Sequence, residues 1–287
     1  GVQADNGELY FGTSRSGIVI VKNDGSFSVI NKSSGLPDNT VRFIGKSKDG
    51  VIWVATKKYL SKINGSTIKE VLSLSSEINT VFFESTERFL IGTMGSGIYV
   101  FNPENESAKP FKPEIFSDKL VSAVVTDSHG CMYVGTLNDG FFRICGNEEG
   151  RSNWLQINHA VSIYEDKEGS LWIGTRGSAL YRLKEGKFIT YGRKNGLNEP
   201  VIFPVTESYD GGMWLGTWAG ALYKFKDNKL KKYTYGDHLS KYDTILSLFQ
   251  EKNRILWATV YGKGLLRIDE INGETKMYSL SDGLPEA

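Results

Sequence analysis

Short apolar or alternating runs recur along the whole chain and never settle into a helical period. One stretch shows the plan: "AVSIYED" (160–166), a polar turn "DKEG" (166–169), "LWIGT" (171–175), a short turn, "ALYRL" (179–183), another polar turn, then "KFITYGR" (187–193). Period-two patterning, β-branched and aromatic residues, and turn residues at roughly 8–12 positions predict four β-strands in such a unit. No segment sustains a 3.6-residue apolar period, so no helix is expected.

The unit recurs. The residue two before the Gly of "GT" falls at Tyr10, Trp53, Leu90, Tyr133, Trp172, Trp214 and Trp257, in steps of 43, 37, 43, 39, 42 and 43 residues. Seven units at this period mark a repeat architecture. A lone four-stranded sheet cannot bury both faces, whereas a sheet packed on its neighbours can. The pattern predicts an all-β, seven-bladed β-propeller with four antiparallel strands per blade. It forms a single domain over 1–287, with blades at about 1–38, 39–78, 79–118, 119–158, 159–198, 199–242 and 243–287. The aromatic on each second strand should lie in the seam between blades. The Gly after it (Gly12, Gly92, Gly135, Gly174, Gly216) should admit a neighbouring backbone, and the Thr should bond locally. "VQADNG" aligns on "YEDKEG", so blade 1 is expected to lack its inner strand beyond a stub.

Composition adds few constraints. The 287 residues hold 32 Gly and 7 Pro, as tight turns between short strands require. Net charge is +1, which gives no reason to expect nucleic acid as a partner. No stretch reaches the roughly 18 apolar residues of a membrane span. The chain begins inside a repeat and reads as a piece of a longer protein, joined to a membrane only through segments it does not contain.

The segments "GLPDNTVRFIGKSKDGVIWVAT" (35–56), "VSIYEDKEGSLWIGTRGSALYRL" (161–183) and "SDGLPEA" (281–287) together resemble the two-component regulator propeller repeat. The likeness runs through all seven units and is weakest in blade 3. It implies an extracytoplasmic, periplasmic ligand-sensing domain of an inner-membrane hybrid sensor histidine kinase. Such domains respond to oligosaccharides and signal to glycan-utilisation genes. It also implies a homodimer formed through the full-length sensor. The kinase would lie elsewhere, and this chain itself would not be an enzyme.

A ligand would meet the face built from the turns after each second strand and the connections before each first strand. Chemically varied residues sit there. Trp218, Tyr242 and Tyr261 offer aromatic faces to the C–H groups of a sugar ring. Arg15, Asp38, Asn39, Asp139, Arg176, Asn198 and Glu199 offer partners for hydroxyls. Packing of Trp218 over a neighbouring turn is an equal reading. A protein-interaction or dimerisation scaffold is the alternative function. A propeller lyase of the streptogramin type is less favoured, because such a lyase needs a His-and-acid metal cluster. The chain has three histidines, His129, His159 and His238, and only the last two could reach that face. No zinc, phosphate-loop or nucleophile motif is present, and no cofactor or metal is expected.

Cys131 and Cys145 flank one hairpin whose turn centres near Asn138, so antiparallel pairing sets them opposite each other. An oxidising compartment would permit a disulfide, and two buried free thiols are the other possibility.

Overall fold

The computed structural model describes residues 1–65, 67–146, 148–151, 157, 159–177, 179–199, 201–233, 235 and 238–285. Its 28 strands form seven four-stranded antiparallel sheets, each taken in chain order. Blade 1 holds β1 (Val2–Gln3), β2 (Leu9–Gly12), β3 (Ile18–Val21) and β4 (Phe27–Ile30). Blade 2 holds β5 (Val41–Lys46), β6 (Ile52–Thr56), β7 (Tyr59–Asn64) and β8 (Thr67–Ser73). Blade 3 holds β9 (Ile78–Phe83), β10 (Phe89–Thr93), β11 (Ile98–Asn102) and β12 (Ser107–Phe111). Blade 4 holds β13 (Val121–Thr126), β14 (Met132–Thr136), β15 (Phe141–Cys145) and β16 (Glu148–Arg151). Blade 5 holds β17 (Ala160–Glu165), β18 (Leu171–Thr175), β19 (Leu180–Lys184) and β20 (Lys187–Tyr191). Blade 6 holds β21 (Ile202–Glu207), β22 (Met213–Thr217), β23 (Leu222–Lys226) and β24 (Lys229–Tyr233). Blade 7 holds β25 (Ile245–Gln250), β26 (Ile255–Val260), β27 (Gly264–Asp269) and β28 (Thr275–Tyr278). The fold is a seven-bladed β-propeller. Its residues group into two compact units, Gly1–Thr126 with Gly283–Ala287, and Asp127–Asp282.

The inner strand of blade 1 is the expected stub, two residues long, pairing Val2 with Tyr10 and Gln3 with Leu9. One expectation needs refinement: where the sequence pattern predicts no helix, the described residues contain one turn, α1 (Pro113–Phe116). Pro113 at its start has no amide hydrogen to leave unbonded, and Phe116 at its end is fully buried. Other blade connections use a 3-10 turn, as at Lys32–Ser34 and Arg193–Asn195, closed by Gly35 or Gly196 in the left-handed region. The next residue, Leu36 or Leu197, is then buried. Leu284 repeats this, while Glu286 and Ala287 of the closing element lie outside the described residues.

The second strands of blades 2 to 6 are buried along their whole length. Trp53, Trp172, Trp214 and Trp257 keep 1%, 1%, 2% and 4% of their surface. Each indole N–H is satisfied. Trp53 donates to Ser47 Oγ (3.0 Å), Trp172 to Asp166 Oδ2 (2.7 Å), Trp214 to Glu270 Oε2 (3.1 Å), and Trp257 to Glu251. Ser47, Asp166 and Glu251 each begin the first turn of their blade. The cross-strand partner on the third strand is often a cation lying over the ring. Lys62 sits 5.0 Å from Trp53, Arg182 4.8 Å from Trp172, and Lys224 5.0 Å from Trp214. Arg143 and Tyr133 repeat the pair at 5.9 Å. Where the aromatic is replaced by Leu90, the partner is Val100.

The Gly of "GT" is a hole. A Cβ on Gly12 would stand 2.4 Å from Val41 Cγ1, on Gly92 2.6 Å from Val121 Cγ1, and on Gly216 2.7 Å from Ile245 Cγ2. Each knob is the first residue of the next blade's inner strand. The expected close approach of backbone occurs at Gly174, where the Ile202 carbonyl would lie 2.8 Å away. Elsewhere a side chain fills the space. The following Thr closes the next turn: Thr13, Thr93, Thr136 and Thr175 donate their hydroxyls to the carbonyl four residues on.

Cys131 and Cys145 lie opposite each other, one step beyond the pair Met132 and Ile144, with Cα atoms 4.4 Å apart and a disulfide between them.

Trp172→Ala removes a fully buried ring, the indole donor to Asp166 and the face under Arg182. It should cost about 3–5 kcal/mol in a urea unfolding curve. Gly216→Val, which drives a side chain into Pro204 and Ile245, should also destabilise, by about 1–3 kcal/mol. Reducing the disulfide frees a loop of about 15 residues and should lower the unfolding free energy by about 3 kcal/mol. Denaturation with and without reductant, alongside thiol titration, checks it.

Candidate functional site

Seven of the residues singled out by sequence lie in the second unit. Arg176, Trp218 and Tyr261 follow the second strands β18, β22 and β26. Asp139 is in the β14–β15 turn, Asn198 and Glu199 lie between β20 and β21, and Tyr242 lies between β24 and β25.

Hydrogen bonds string several of these together through the backbone. The Arg176 N–H donates to the His159 carbonyl (3.0 Å), and Arg176 bridges Val201. The Trp218 N–H donates to the Val201 carbonyl (3.3 Å). Thr244 Oγ1 donates to the Trp218 carbonyl (3.3 Å), and the Tyr261 N–H donates to the Thr244 carbonyl (2.9 Å). Arg176, Trp218 and Tyr261 therefore share one edge of blades 5 to 7, held at fixed spacing by backbone bonds and the Thr244 hydroxyl.

Their side chains point away from that scaffold. Trp218 is 47% exposed, Tyr261 54% and Tyr242 83%. These are large values for aromatics, whose burial is normally favourable. The Arg176 guanidinium lies 5.0 Å from the Trp218 ring, and Phe203 meets that ring edge-on at 6.3 Å. Lys241 lies 5.1 Å over Tyr242. Leu246, at the position on β25 equivalent to Phe203 on β21, is 39% exposed. Phe203, Leu246 and Lys241 escaped the sequence reading. The signal was available at the second inner-strand position, which reads Arg42, Asn79, Ser122, Val161, Phe203 and Leu246 and so changes chemistry from blade to blade.

The acids of this unit are held within the fold. Glu199 pairs with Lys232 (2.5 Å) and accepts from the Tyr223 hydroxyl. Burial pushes the Glu199 carboxyl up, but these bonds outweigh it and hold it below the usual carboxylate range. Asp243 pairs with Lys263 (2.8 Å) and accepts from the Ser240 N–H (2.6 Å). Here too burial raises the carboxyl and the bonds from Lys263 and Ser240 win, so it sits below its ordinary value. That pair anchors the segment carrying Tyr242. Asn198 is exposed, and the Asp139 N–H donates to Thr136 Oγ1.

The first unit carries Arg15, Asp38 and Asn39. Arg15 is exposed in the β2–β3 turn. Asp38 pairs with Lys57 (3.1 Å) and caps the Thr40 N–H (2.8 Å). Asn39 Oδ1 accepts from the Lys32 N–H (2.8 Å), tying down the preceding 3-10 turn. These two side chains are thus engaged in shaping their loop.

Among the described residues, no three His, Cys, Asp or Glu side chains gather to hold a metal ion, and no helix is long and apolar enough to cross a membrane. His129 is exposed in the β13–β14 turn.

The family model described as "Two component regulator propeller" matches residues 155–177, the start and second strand of blade 5. Within that stretch the chain is similar to this repeat. No curated protein matches the chain. Among solved structures, the chain is similar to the extracellular domain assigned to the hybrid two-component system BT3049 of B. thetaiotaomicron. Identity is 18% and TM-score 0.62, covering 94% of this chain and 44% of that one. It is also similar to virginiamycin B lyase of Staphylococcus aureus (15% identity, TM-score 0.71, 89% of each chain). A third likeness is to PorZ, a surface component of the type-IX secretion system of Porphyromonas gingivalis (12% identity, TM-score 0.65, 93% and 46%). At these identities the likeness shows the fold. The chain spans less than half the length of the BT3049 domain.

Asp243→Asn should loosen the β24–β25 connection at neutral pH. The folded carboxyl lies below its unfolded value, so its contribution is full above about pH 4 and fades as pH falls through the folded value. Urea unfolding should therefore show a loss of about 1 kcal/mol at pH 7 that shrinks as pH falls below about 4.

Proposed function

We propose that this chain is the ligand-sensing propeller of a hybrid two-component sensor, displayed outside the cytoplasm, and that it binds an oligosaccharide without chemically altering it. The observation that carries the reading is the edge of blades 5 to 7. There, Trp218, Tyr242 and Tyr261 stay exposed although neighbouring backbone is fully bonded. Flat aromatic faces beside polar side chains suit pyranose rings, which offer C–H groups on one face and hydroxyls at the rim. The regulator repeat and the likeness to the BT3049 extracellular domain support the sensor setting and the periplasmic placement. A kinase domain and a homodimer would belong to the longer protein.

A protein-interaction scaffold is the second reading, favoured by the same exposed rings, since exposed apolar surface also marks protein contacts. The likeness to the virginiamycin lyase supports a lyase only at the level of fold.

A thermal-shift screen against neutral and acidic oligosaccharide fragments separates these readings. A cognate sugar at about a hundred times its dissociation constant stabilises the native state by about 2.7 kcal/mol, which raises the midpoint by several degrees. Trp218→Ala should abolish that shift while leaving the ligand-free midpoint within a few degrees of wild type. No shift with any glycan, together with self-association lost in Trp218→Ala, would favour the scaffold. A large loss of ligand-free stability in Trp218→Ala would show that the ring serves packing.

A further inference from the structure

The charges on this edge do not cancel. Glu199 is spent on Lys232 and the Tyr223 hydroxyl, and Asp243 on Lys263 and the Ser240 N–H. Asp139, on the β14–β15 turn, is likewise not without a partner. Arg176 and Lys241 are the exceptions. Neither makes an ion pair among the described residues, and each lies over an exposed ring, Arg176 over Trp218 and Lys241 over Tyr242. Stacking restrains a guanidinium while leaving its N–H edges free. A restrained guanidinium loses less freedom on binding than one swinging in solvent. Elsewhere in this unit some cations over rings also meet acids, as Arg182 over Trp172 meets Asp166 and Glu168, and Lys224 over Trp214 meets Asp210 and Glu270, whereas Lys231 over Tyr233 and Lys276 over Tyr278 make no ion pair among the described residues. At Arg176 and Lys241 the acid is missing from the arrangement.

We infer that the ligand supplies it: the sugar bound at this edge is acidic, a uronate whose carboxylate docks on the free fork of Arg176 while its ring stacks on the adjoining aromatic face. The inference rests on the oligosaccharide reading above and adds the ligand's charge. A guanidinium receives a carboxylate through two parallel hydrogen bonds, a geometry a neutral hydroxyl cannot match. Lys241 adds a second, less directional attraction suited to a further uronate along the chain. In the first unit two comparable cations are paired internally, Arg42 on Glu77 and Lys57 on Asp38, while Arg15 is exposed.

The test is titration calorimetry with oligogalacturonides and glucuronate-containing disaccharides, each matched to its carboxyl-reduced, neutral form and to a sulfated sugar of the same length that lacks carboxylates. The acidic forms are expected to bind at least tenfold more tightly than their reduced counterparts, with affinity falling as salt rises. Arg176→Met keeps bulk over Trp218 and removes the charge. It should erase that preference, and Arg176→Lys should restore part of it. Lys241→Glu, at an exposed position, should weaken the acidic forms at least fivefold and the neutral ones by much less. Equal binding of acidic and reduced forms, or Arg176→Met binding the acidic form like wild type, overturns the inference. So does preference for the sulfated sugar over the uronate. If neutral sugars bind and Trp218→Ala removes that binding, the oligosaccharide reading survives and only the charge assignment falls. If no sugar binds and a Glu-rich peptide does, both fall.

Discussion

The rest of the structure depends on burying one large side chain on the second strand of each blade, aromatic in all but blade 3, without abandoning any polar atom it carries. An indole sealed between sheets contributes much apolar area, but an unbonded N–H there would cost a good part of the gain. Blades 2, 5 and 7 meet this with the first residue of the preceding turn, Ser47, Asp166 or Glu251. Blade 6 solves it differently. Its Ser208 instead shares Glu270 with Trp214, and Glu270 comes from the β27–β28 turn of blade 7. The same carboxylate takes Lys224, which lies over the Trp214 ring. Blades 6 and 7 are thus joined by a polar lock as well as by packed side chains, and the lock ties seam, turn and third strand into one arrangement.

From that seam follows the shape of the exposed edge. The Gly beside the aromatic receives the first residue of the next inner strand, and the Thr after it closes the turn on its own backbone. With both neighbours committed, the next position has a backbone fixed by hydrogen bonds and a side chain that packs on nothing obligatory. That is why it can be Met94 in one blade, Arg176 in another and Trp218 in a third. Variation there changes the surface without changing the fold.

The fold was legible because it is periodic. Seven equivalent second-strand positions, six of them aromatic, predicted seven sheets, and the hairpin centred near Asn138 placed Cys131 opposite Cys145 in the register observed. What escaped was non-periodic or depended on a partner distant in sequence. The helix α1 is a single turn set by Pro113 and the burial of Phe116, too short to carry a period. The cation over each ring follows from register, because Trp172 and Arg182 are ten residues apart and meet only once the hairpin is formed. The pairing of Trp214 with Glu270, 56 residues away, has no local trace at all. At the candidate edge, sequence could place Arg176, Trp218 and Tyr261 at equivalent positions. It could not show that Asp38, Asn39 and Glu199 were already engaged by Lys57, Lys32 and Lys232.

Those engagements decide how such an edge can select a ligand. A side chain already bonded to its neighbour must break that bond to reach a ligand, so most of the apparent binding inventory gives little net affinity. Groups left unspent contribute more, because they lose only water and some rotamer freedom. At the edge of blades 5 to 7 the unspent groups include three exposed rings and two cations resting on them. Because Arg176, Trp218 and Tyr261 are tied through backbone, a ligand spanning them meets positions set before it arrives, and little ordering cost is left to pay. Discrimination then falls to the chemistry of individual side chains at turn positions, which the repeat leaves free to change while the buried aromatic beneath each one stays in place.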